Sequence, residues 1–228
     1  MQRTGVVCEP LPSDQWFVDT APLAAKALAA VKDKGWDPSV TSLVAFPQVL
    51  EMMNDKLDWT QKLGDAFLAQ QQDVLDTVQK LRARADAAGN LKSTPQQRVT
   101  KARPPAGVVP PPGMDEVFMI EPVDPDLYYV PVYDPALVYG VWGYPDYPPY
   151  YWYPPGYVAT GIFAFTAGVV VGAAIWGGCD WWRRNVYVNV NRYNNINVNR
   201  QINANGNRAN WNHNPERRGA TPYRGGDA

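Results

Sequence analysis

Apolar and polar residues follow a helical period through most of the first hundred residues. Asp37 can cap a short helix, and Pro47 starts another because proline suits a first helical turn. Asp58 is a suitable cap for a long helix over residues 59–88, which Gly89 ends. The pattern therefore predicts a succession of helices in this part of the chain.

The longest predicted helix has a single apolar stripe. An earlier helix is predicted over residues 22–34. Together these helices predict a small antiparallel helical domain over residues 19–100, after an unstructured N-terminal remnant at residues 1–18. The apolar stripe predicts a packed core, and the alternative is a surface that binds a partner helix. The residues of the stripe are Trp59, Leu63, Phe67, Val74, Val78, Leu81, Ala85 and Ala88.

The apolar period changes to two beyond a proline-rich stretch. Residues 101–115 contain five prolines and predict an extended linker. Residues 116–156 predict short strands and a loop rich in tyrosine and proline, with strands at 117–120, 127–133 and 137–139. We expect these strands to form a small β-meander, which would need cover from another part of the protein.

Residues 157–178 form an uncharged run of 22 residues. As a helix this run would be about 33 Å long, which matches the hydrocarbon layer of a bilayer. Aromatic residues lie on both sides of it, and two arginines follow, as at many membrane boundaries. It therefore predicts a glycine-rich transmembrane helix, and the alternative is a buried helix or hairpin in a soluble core. Ala164, Gly168 and Gly172 recur every fourth residue and predict a helix-association stripe for self-association.

Asparagine dominates the tail, residues 179–228. Thirteen of the 30 residues from 185 to 214 are asparagine. This composition predicts a disordered tail rich in asparagine and arginine, in which His213 is exposed to solvent. Three valines, at positions 186, 188 and 190, alternate with polar residues, so β-stacking into fibres is an alternative. The predicted fold class is thus mainly α, with a short meander, one apolar helix and a disordered tail.

Charge divides the 228 residues into three blocks whose net charges are +1, −7 and +5, and the total is −1. The first block ends at residue 103 and the second at residue 179. A total near zero gives no reason to expect a specific nucleic-acid partner. By the positive-inside rule the arginines after the apolar run face the cytoplasm. The helical domain is then expected to be periplasmic, in a protein whose partner is the membrane.

Few residues suit catalysis or metal binding. Two cysteines and one histidine exclude a disulfide framework and a zinc site of the His/Cys type. No phosphate-binding loop, dinucleotide fingerprint or serine elbow occurs, so no cofactor or small-molecule ligand is predicted. The acidic residues at 115–135, with Asp124, Asp126 and Asp134 foremost, are the candidates for an envelope hydrolase or wall-modifying enzyme. Most of them lie in Asp-Pro turns, which favours a structural role.

Several segments together resemble the bacterial domain of unknown function 3300 family. They are residues 36–97, YYVPVYDP at 128–135, YPPYYWYPPGY at 147–157, the glycine-rich apolar run and NVNRYNN at 189–195. The resemblance implies an envelope location and a hydrophobic segment, and it implies no activity or catalytic residue. Family members begin with an apolar leader, so we expect the start of this sequence to be truncated or misassigned. The expected function is a non-catalytic structural or scaffolding role in the cell envelope.

Overall fold

The computed structural model of the protein describes residues 30–31, 34, 36–110, 113–154, 162–166, 168–170, 175–196, 201–204, 206–218 and 221–223. The predicted N-terminal remnant at residues 1–18 lies outside the described residues. So does most of the helix predicted over residues 22–34.

Helices occupy most of the chain between residues 38 and 87. They are α1 (Pro38–Leu43), α2 (Pro47–Asp55), α3 (Leu57–Ala69) and α4 (Gln71–Ala87). The carboxylate of Asp37 accepts a hydrogen bond from the backbone N–H of Ser39 at 2.8 Å, which confirms the predicted cap of α1. Gly89 has a φ of 74° just after α4, and this left-handed conformation ends the helix as predicted.

The prediction of a single long helix over residues 59–88 is wrong. The chain leaves the helical conformation at Gln70, where φ is −143° and ψ is 53°, and two separate helices result. The break allows α3 and α4 to contact different parts of the protein. Phe67 of α3 packs on Trp211 near the end of the chain, whereas Gln79 of α4 bonds to a strand.

Strand β1 (Gln97–Ala102) pairs antiparallel with β2 (Val117–Pro122). The strand predicted at 117–120 is confirmed within β2. Lys101 and Ala102 were expected to belong to the linker, but they pair with Phe118 and Val117. The proline-rich stretch is therefore the connection of a β-hairpin.

The expected meander is wrong, because its described strands do not pair with each other: β2 pairs with β1, and the other two strands pair with the apolar run. The strands are β3 (Leu127–Tyr128), β4 (Pro131–Tyr133), β5 (Phe163–Phe165) and β6 (Val169–Val170). β3 pairs with β6 and β4 with β5, in both cases antiparallel. The strand expected at 137–139 is a short helix, α5 (Pro135–Tyr139), because the Asp134 carboxylate accepts a hydrogen bond from Ala136 N at 2.8 Å.

The prediction of a transmembrane helix over residues 157–178 is also wrong. The described parts of this run form β5, β6 and the start of β7 (Trp176–Asp180). None of the helices in the described part of the chain has the length and apolar character needed to cross a bilayer. Membrane anchoring, with the periplasmic helical domain inferred from it, therefore has no support in the structure, whereas a membrane partner stays a prediction. The physical reason is that β-branched and aromatic residues such as Phe163, Phe165 and Val169 suit strands.

The described part of the tail contains strands and helices, which corrects the prediction of disorder. β7 pairs with β8 (Asn185–Asn189), and β8 pairs with β9 (Arg208–Asn210). Helix α6 (Val190–Ile196) and a 3-10 helix (Pro215–Arg218) complete this region. Burial explains why valines alternate with polar residues in this region, because Val188 and Val190 are buried. The fold is thus mixed α and β, and not mainly α.

The apolar core is divided into clusters. One cluster of buried side chains lies between α4, β2 and α5 and consists of Ala85, Leu91, Phe118 and Val138. Met114, Val117 and Trp182 form another, and the alternating residues of β2 divide between the two clusters, with Phe118 in the first and Val117 in the second. The two clusters share β2, so α4, the hairpin and the tail are held on one strand.

Candidate functional site

The end of the chain folds back onto the first helices and forms a cleft with them. α1 contacts α6, and the ring of Phe67 in α3 meets the ring of Trp211 at a centroid distance of 5.6 Å, nearly edge to face. Trp211 N donates to Val186 O at 2.8 Å, so the pairing of β8 with the following segment continues beyond β9. The cleft is therefore built on a sheet edge and a helix.

This Trp211 cleft has a volume of about 400 Å³, which lies in the range of about 300–1,000 Å³ that is usual for ligand sites. Aromatic rings, amide side chains and a few apolar groups line it. The lining residues that matter here are Val40, Ile175, Tyr193, Trp211, His213 and the asparagines 210, 212 and 214. Such a lining combines flat apolar faces with neutral hydrogen-bonding groups.

The rings of the cleft form a connected row. Trp211 and His213 lie two residues apart in an extended segment, and their ring centroids are 6.3 Å apart. The Nε2 atom of His213 lies 2.8 Å from the hydroxyl of Tyr223, at hydrogen-bond distance. His213, which we expected to be solvent-exposed, is half-buried in this row.

Two charged residues, Asp37 and Arg218, line the cleft, and each is engaged within the protein. The carboxylate of Asp37 caps α1. Arg218 Nη2 bonds to the carboxylate of Asp65 at 2.6 Å, and the two side chains are only 15% and 8% exposed. The Arg218 guanidinium also lies 4.0 Å from the ring centroid of Tyr223, and it donates to the carbonyls of Thr221 and Pro222. Arg218 therefore fixes the wall of the cleft, and Asp65 balances its charge, whereas the carboxylate of Asp37 is engaged in the cap of α1.

The asparagine amides supply most of the neutral polar groups. Asn214 caps the 3-10 helix, since its Oδ1 accepts from Glu216 N at 3.0 Å. No hydrogen bond to another described residue occupies the side chains of Asn210 and Asn212. Each of these amides can both donate to and accept from a ligand.

The three small residues of the predicted association stripe do not share a described helix. Ala164 lies in β5 opposite Val132, and Gly168 lies between β5 and β6. A Cβ atom on Gly168 would lie 2.9 Å from the ring of Tyr129, so this glycine permits a close contact within the protein. Gly172 lies outside the described residues. Self-association through this stripe stays a prediction.

Two of the three candidate carboxylates for a hydrolase, those of Asp124 and Asp134, serve local structure. The Oδ1 atom of Asp124 accepts from Asp126 N at 2.9 Å within a turn, and Asp134 caps α5. Nearby, Glu116 lies 3.4 Å from Arg103 at the surface. These contacts favour a structural role for the carboxylates over general acid–base chemistry.

Neither the cysteines nor the acidic residues suggest a metal centre. Within the part of the chain that the structure describes, no group of three or more His, Cys, Asp or Glu side chains could hold a metal ion. Burial raises the pKa of the Cys179 thiol to about 11, although the positive charge of Arg82 acts in the opposite direction. This thiol is therefore a poor nucleophile at neutral pH.

Sequence reasoning missed the residues that build the cleft. Trp211 and Arg218 were assigned to a disordered tail, and Asp65 and Phe67 to a helical core. The alternation of asparagine with Trp211 and His213 over residues 210–214 was the available signal, because a period of two indicates an extended segment. What no local pattern could supply is the contact between positions 65 and 218.

Comparison with known proteins identifies relatives without an assigned activity. "Uncharacterized protein YacH" of Escherichia coli (strain K12) is 36% identical over 252 residues, and the match covers 86% of this chain. This chain spans about 40% of the length of that relative. No solved structure matches the chain.

The family model described as "Protein of unknown function (DUF3300)" matches residues 9–213. The match includes the cleft residues up to His213, whereas Arg218 and Tyr223 lie beyond it. Most of the sequence is therefore covered, and the chain belongs to the DUF3300 family.

Proposed function

We propose that this protein is a non-catalytic scaffolding protein of the bacterial cell envelope that holds a neutral oligosaccharide in the Trp211 cleft. The observation that carries the proposal is the cleft itself, where aromatic rings and unoccupied amides lie beside an arginine already neutralised by Asp65. No membrane anchor is part of this proposal.

A sugar chain suits the chemistry of this lining. The C–H face of a sugar ring can pack on the flat face of an aromatic side chain such as Trp211, which buries apolar surface on both partners. The hydroxyl groups of the sugar both donate and accept, as do the carboxamides of Asn210 and Asn212. The polar groups that binding buries, on the protein and on the sugar, would then be hydrogen-bonded, as stable binding requires.

Charge argues against the main alternative partners. A nucleic acid or other polyanion is bound through unpaired cations, and Arg218 in this cleft is paired with Asp65. A hydrolase would need an acid–base pair at the ligand, and Asp124 and Asp134 are engaged in a turn and a helix cap. A scaffolding role that retains the ligand unchanged accounts for both observations.

The test is calorimetric titration of the full chain with chitotetraose and cellotetraose, which differ in their acetamido groups. We expect saturable binding of at least one probe. Asn212→Ala removes an exposed amide that bonds to no other described side chain, so it should weaken the affinity about threefold to tenfold without unfolding the protein. Trp211→Ala should abolish measurable binding.

Trp59→Ala is the matched control, because Trp59 is a 41% exposed tryptophan that contacts Tyr150 and does not line the cleft. The Trp59→Ala variant should bind the tetrasaccharide as tightly as the unaltered protein does. The proposal is wrong if neither tetrasaccharide binds, or if Asn212→Ala and Trp211→Ala bind as tightly as the control. Envelope location is tested separately, by fractionating cells that express the protein from its own gene.

A further inference from the structure

A second cavity lies apart from the Trp211 cleft, between α4, β2, β4 and α5. It has a volume of about 340 Å³, which is enough for a small organic ligand. We call it the Arg82 pocket. Its apolar lining comprises Val78, Leu81, Ala85, Ile120, Val138 and Phe163, and its polar groups are Arg82, Gln97, Tyr133 and Tyr139. None of the lining residues is acidic, so the pocket contains a cation and no anion.

Arg82 lacks the carboxylate partner that other shielded arginines of this protein have. Its Nη1 donates to Phe118 O at 2.8 Å, and its guanidinium lies 4.4 Å from the ring centroid of Trp181. Arg184 bonds to both oxygens of Asp76, at 2.7 and 3.1 Å, and Arg218 pairs with Asp65. Among the described residues no carboxylate forms an ion pair with Arg82.

A shielded cation without an anion is energetically unfavourable, and a bound anion would relieve that cost. Burial lowers the pKa of Arg82, whereas Cys179, Tyr139 and Tyr133 act in the opposite direction. A guanidinium has five N–H donors and is planar, which suits the two oxygens of a carboxylate. The donors that Phe118 O does not use are available for such a group.

The two tyrosines supply a second donor in the same pocket. The hydroxyls of Tyr133 and Tyr139 are 2.8 Å apart, and one must donate to the other. The accepting hydroxyl keeps its own proton, which can be donated to a ligand. Burial, with a further contribution from Tyr133, raises the pKa of Tyr139 above its ordinary value, so the Tyr139 hydroxyl remains protonated at neutral pH.

We propose that the Arg82 pocket binds a small monocarboxylic acid with an apolar body. The carboxylate bonds to the Arg82 guanidinium and to one tyrosine hydroxyl, and the apolar body packs against Leu81, Val78 and Ile120. The apolar walls exclude a strongly hydrated anion such as inorganic phosphate, because most of its oxygens would lose their hydrogen bonds. This site is independent of the Trp211 cleft and of any oligosaccharide.

The test uses ligand-observed NMR and calorimetry on the full chain with three acids: 4-phenylbutyrate, octanoate and indole-3-propionate. We expect saturable binding of at least one. Its primary amide, for instance 4-phenylbutyramide, has the same shape without the charge and should bind about tenfold more weakly or not at all. If none of the three acids binds, or if acid and amide bind equally, the proposal is wrong.

Variants identify the site. Arg82→Lys keeps the charge but loses the planar fork, and Tyr139→Phe removes one hydroxyl; each should weaken the acid's affinity, with the larger effect of about tenfold for Arg82→Lys. Arg98→Gln, at an exposed position in β1, is the control and should leave the affinity unchanged. Circular dichroism shows whether each variant is folded. Unchanged affinity in the folded Arg82→Lys and Tyr139→Phe variants would place the acid elsewhere and overturn the proposal.

Discussion

The side chain of Gln79 forms hydrogen bonds to the backbone of β2 in the way that a neighbouring strand would. Its Oε1 accepts from Phe118 N at 2.8 Å, and its Nε2 donates to Phe118 O at 3.2 Å. Gln79 is only 3% exposed, and without it the N–H of Phe118 would lack this acceptor, whereas Phe118 O would keep the bond from Arg82. The amide thus fastens α4 to β2 at Phe118, which belongs to the apolar cluster of Ala85, Leu91 and Val138.

Replacing Gln79 with leucine should lower the free energy of unfolding by about 1–3 kcal/mol, because Phe118 would keep a buried N–H without an acceptor. Urea denaturation followed by circular dichroism measures the change. Gln72→Leu is the control, since Gln72 is exposed on the same helix and should change stability by less than about 0.5 kcal/mol. Equal effects of the two substitutions would mean that the Phe118 bonds contribute nothing to stability.

At the scale of elements, two glycines have opposite roles. Gly177 lies in β7 at the irregularity in its pairing with β8, and a Cβ there would lie 2.6 Å from the backbone carbon of Val188. Gly64 lies exposed within α3, and a Cβ there would meet no atom within 4 Å. Glycine is required at the first position and is only a weak helix former at the second.

Gly177→Ala should therefore destabilise the protein by about 1–3 kcal/mol, because the β7–β8 backbones must separate to admit the methyl group. Gly64→Ala should stabilise it by about 0.5–1 kcal/mol through helix propensity alone. Thermal unfolding of both variants against the unaltered chain tests the pair. A stabilising Gly177→Ala would show that the strands separate without cost.

Local sequence signals predicted the elements whose causes are local. The Asp37 cap, the Pro47 start and the Gly89 end of the helices follow from nearby residues, and the structure confirms each. The strand predicted at 137–139 was wrong because apolar alternation was given more weight than the Asp134 cap beside it. Pairing between β4 and β5 joins segments about thirty residues apart, and no period within either strand specifies that partner.

The difference between local and long-range causes also explains how much of the Trp211 cleft could be predicted. The alternation over residues 210–214 is local, whereas Asp65 and Phe67, which contact Arg218 and Trp211, belong to a helix far away in the sequence. Composition was misleading in the tail, because 13 asparagines in 30 residues suggested a segment with too little to bury. Val188 and Val190 are nevertheless buried, since they pack against other parts of the protein.

At the scale of the whole molecule, the pair between Arg184 and Asp76 joins the tail to the helices. The two side chains are 17% and 19% exposed and make two hydrogen bonds. Gln71 adds a bond from α4 to Arg184 O at 2.8 Å. These contacts hold the β7–β8 turn on α4, so the two halves of the chain should unfold together.

A double-mutant cycle with Asp76→Asn and Arg184→Gln should give a coupling energy of about 1–3 kcal/mol, because the pair is well shielded and doubly bonded. The same cycle on the exposed pair Asp58–Lys62, at 2.8 Å within α3, should give less than about 0.5 kcal/mol. Urea titrations of the four variants in each cycle supply both values. A larger coupling at the exposed pair would contradict this account of how the halves are joined.

The bond between Arg218 and Asp65 also has a consequence for biosynthesis, because the two residues are 153 positions apart. At a translation rate of about 5–20 residues per second, the ribosome needs about 8–30 seconds to add the arginine after the aspartate. During that interval Asp65 and Phe67 have not yet met Arg218 and Trp211. Completion of this protein's fold is therefore timed by the arrival of its own late segment.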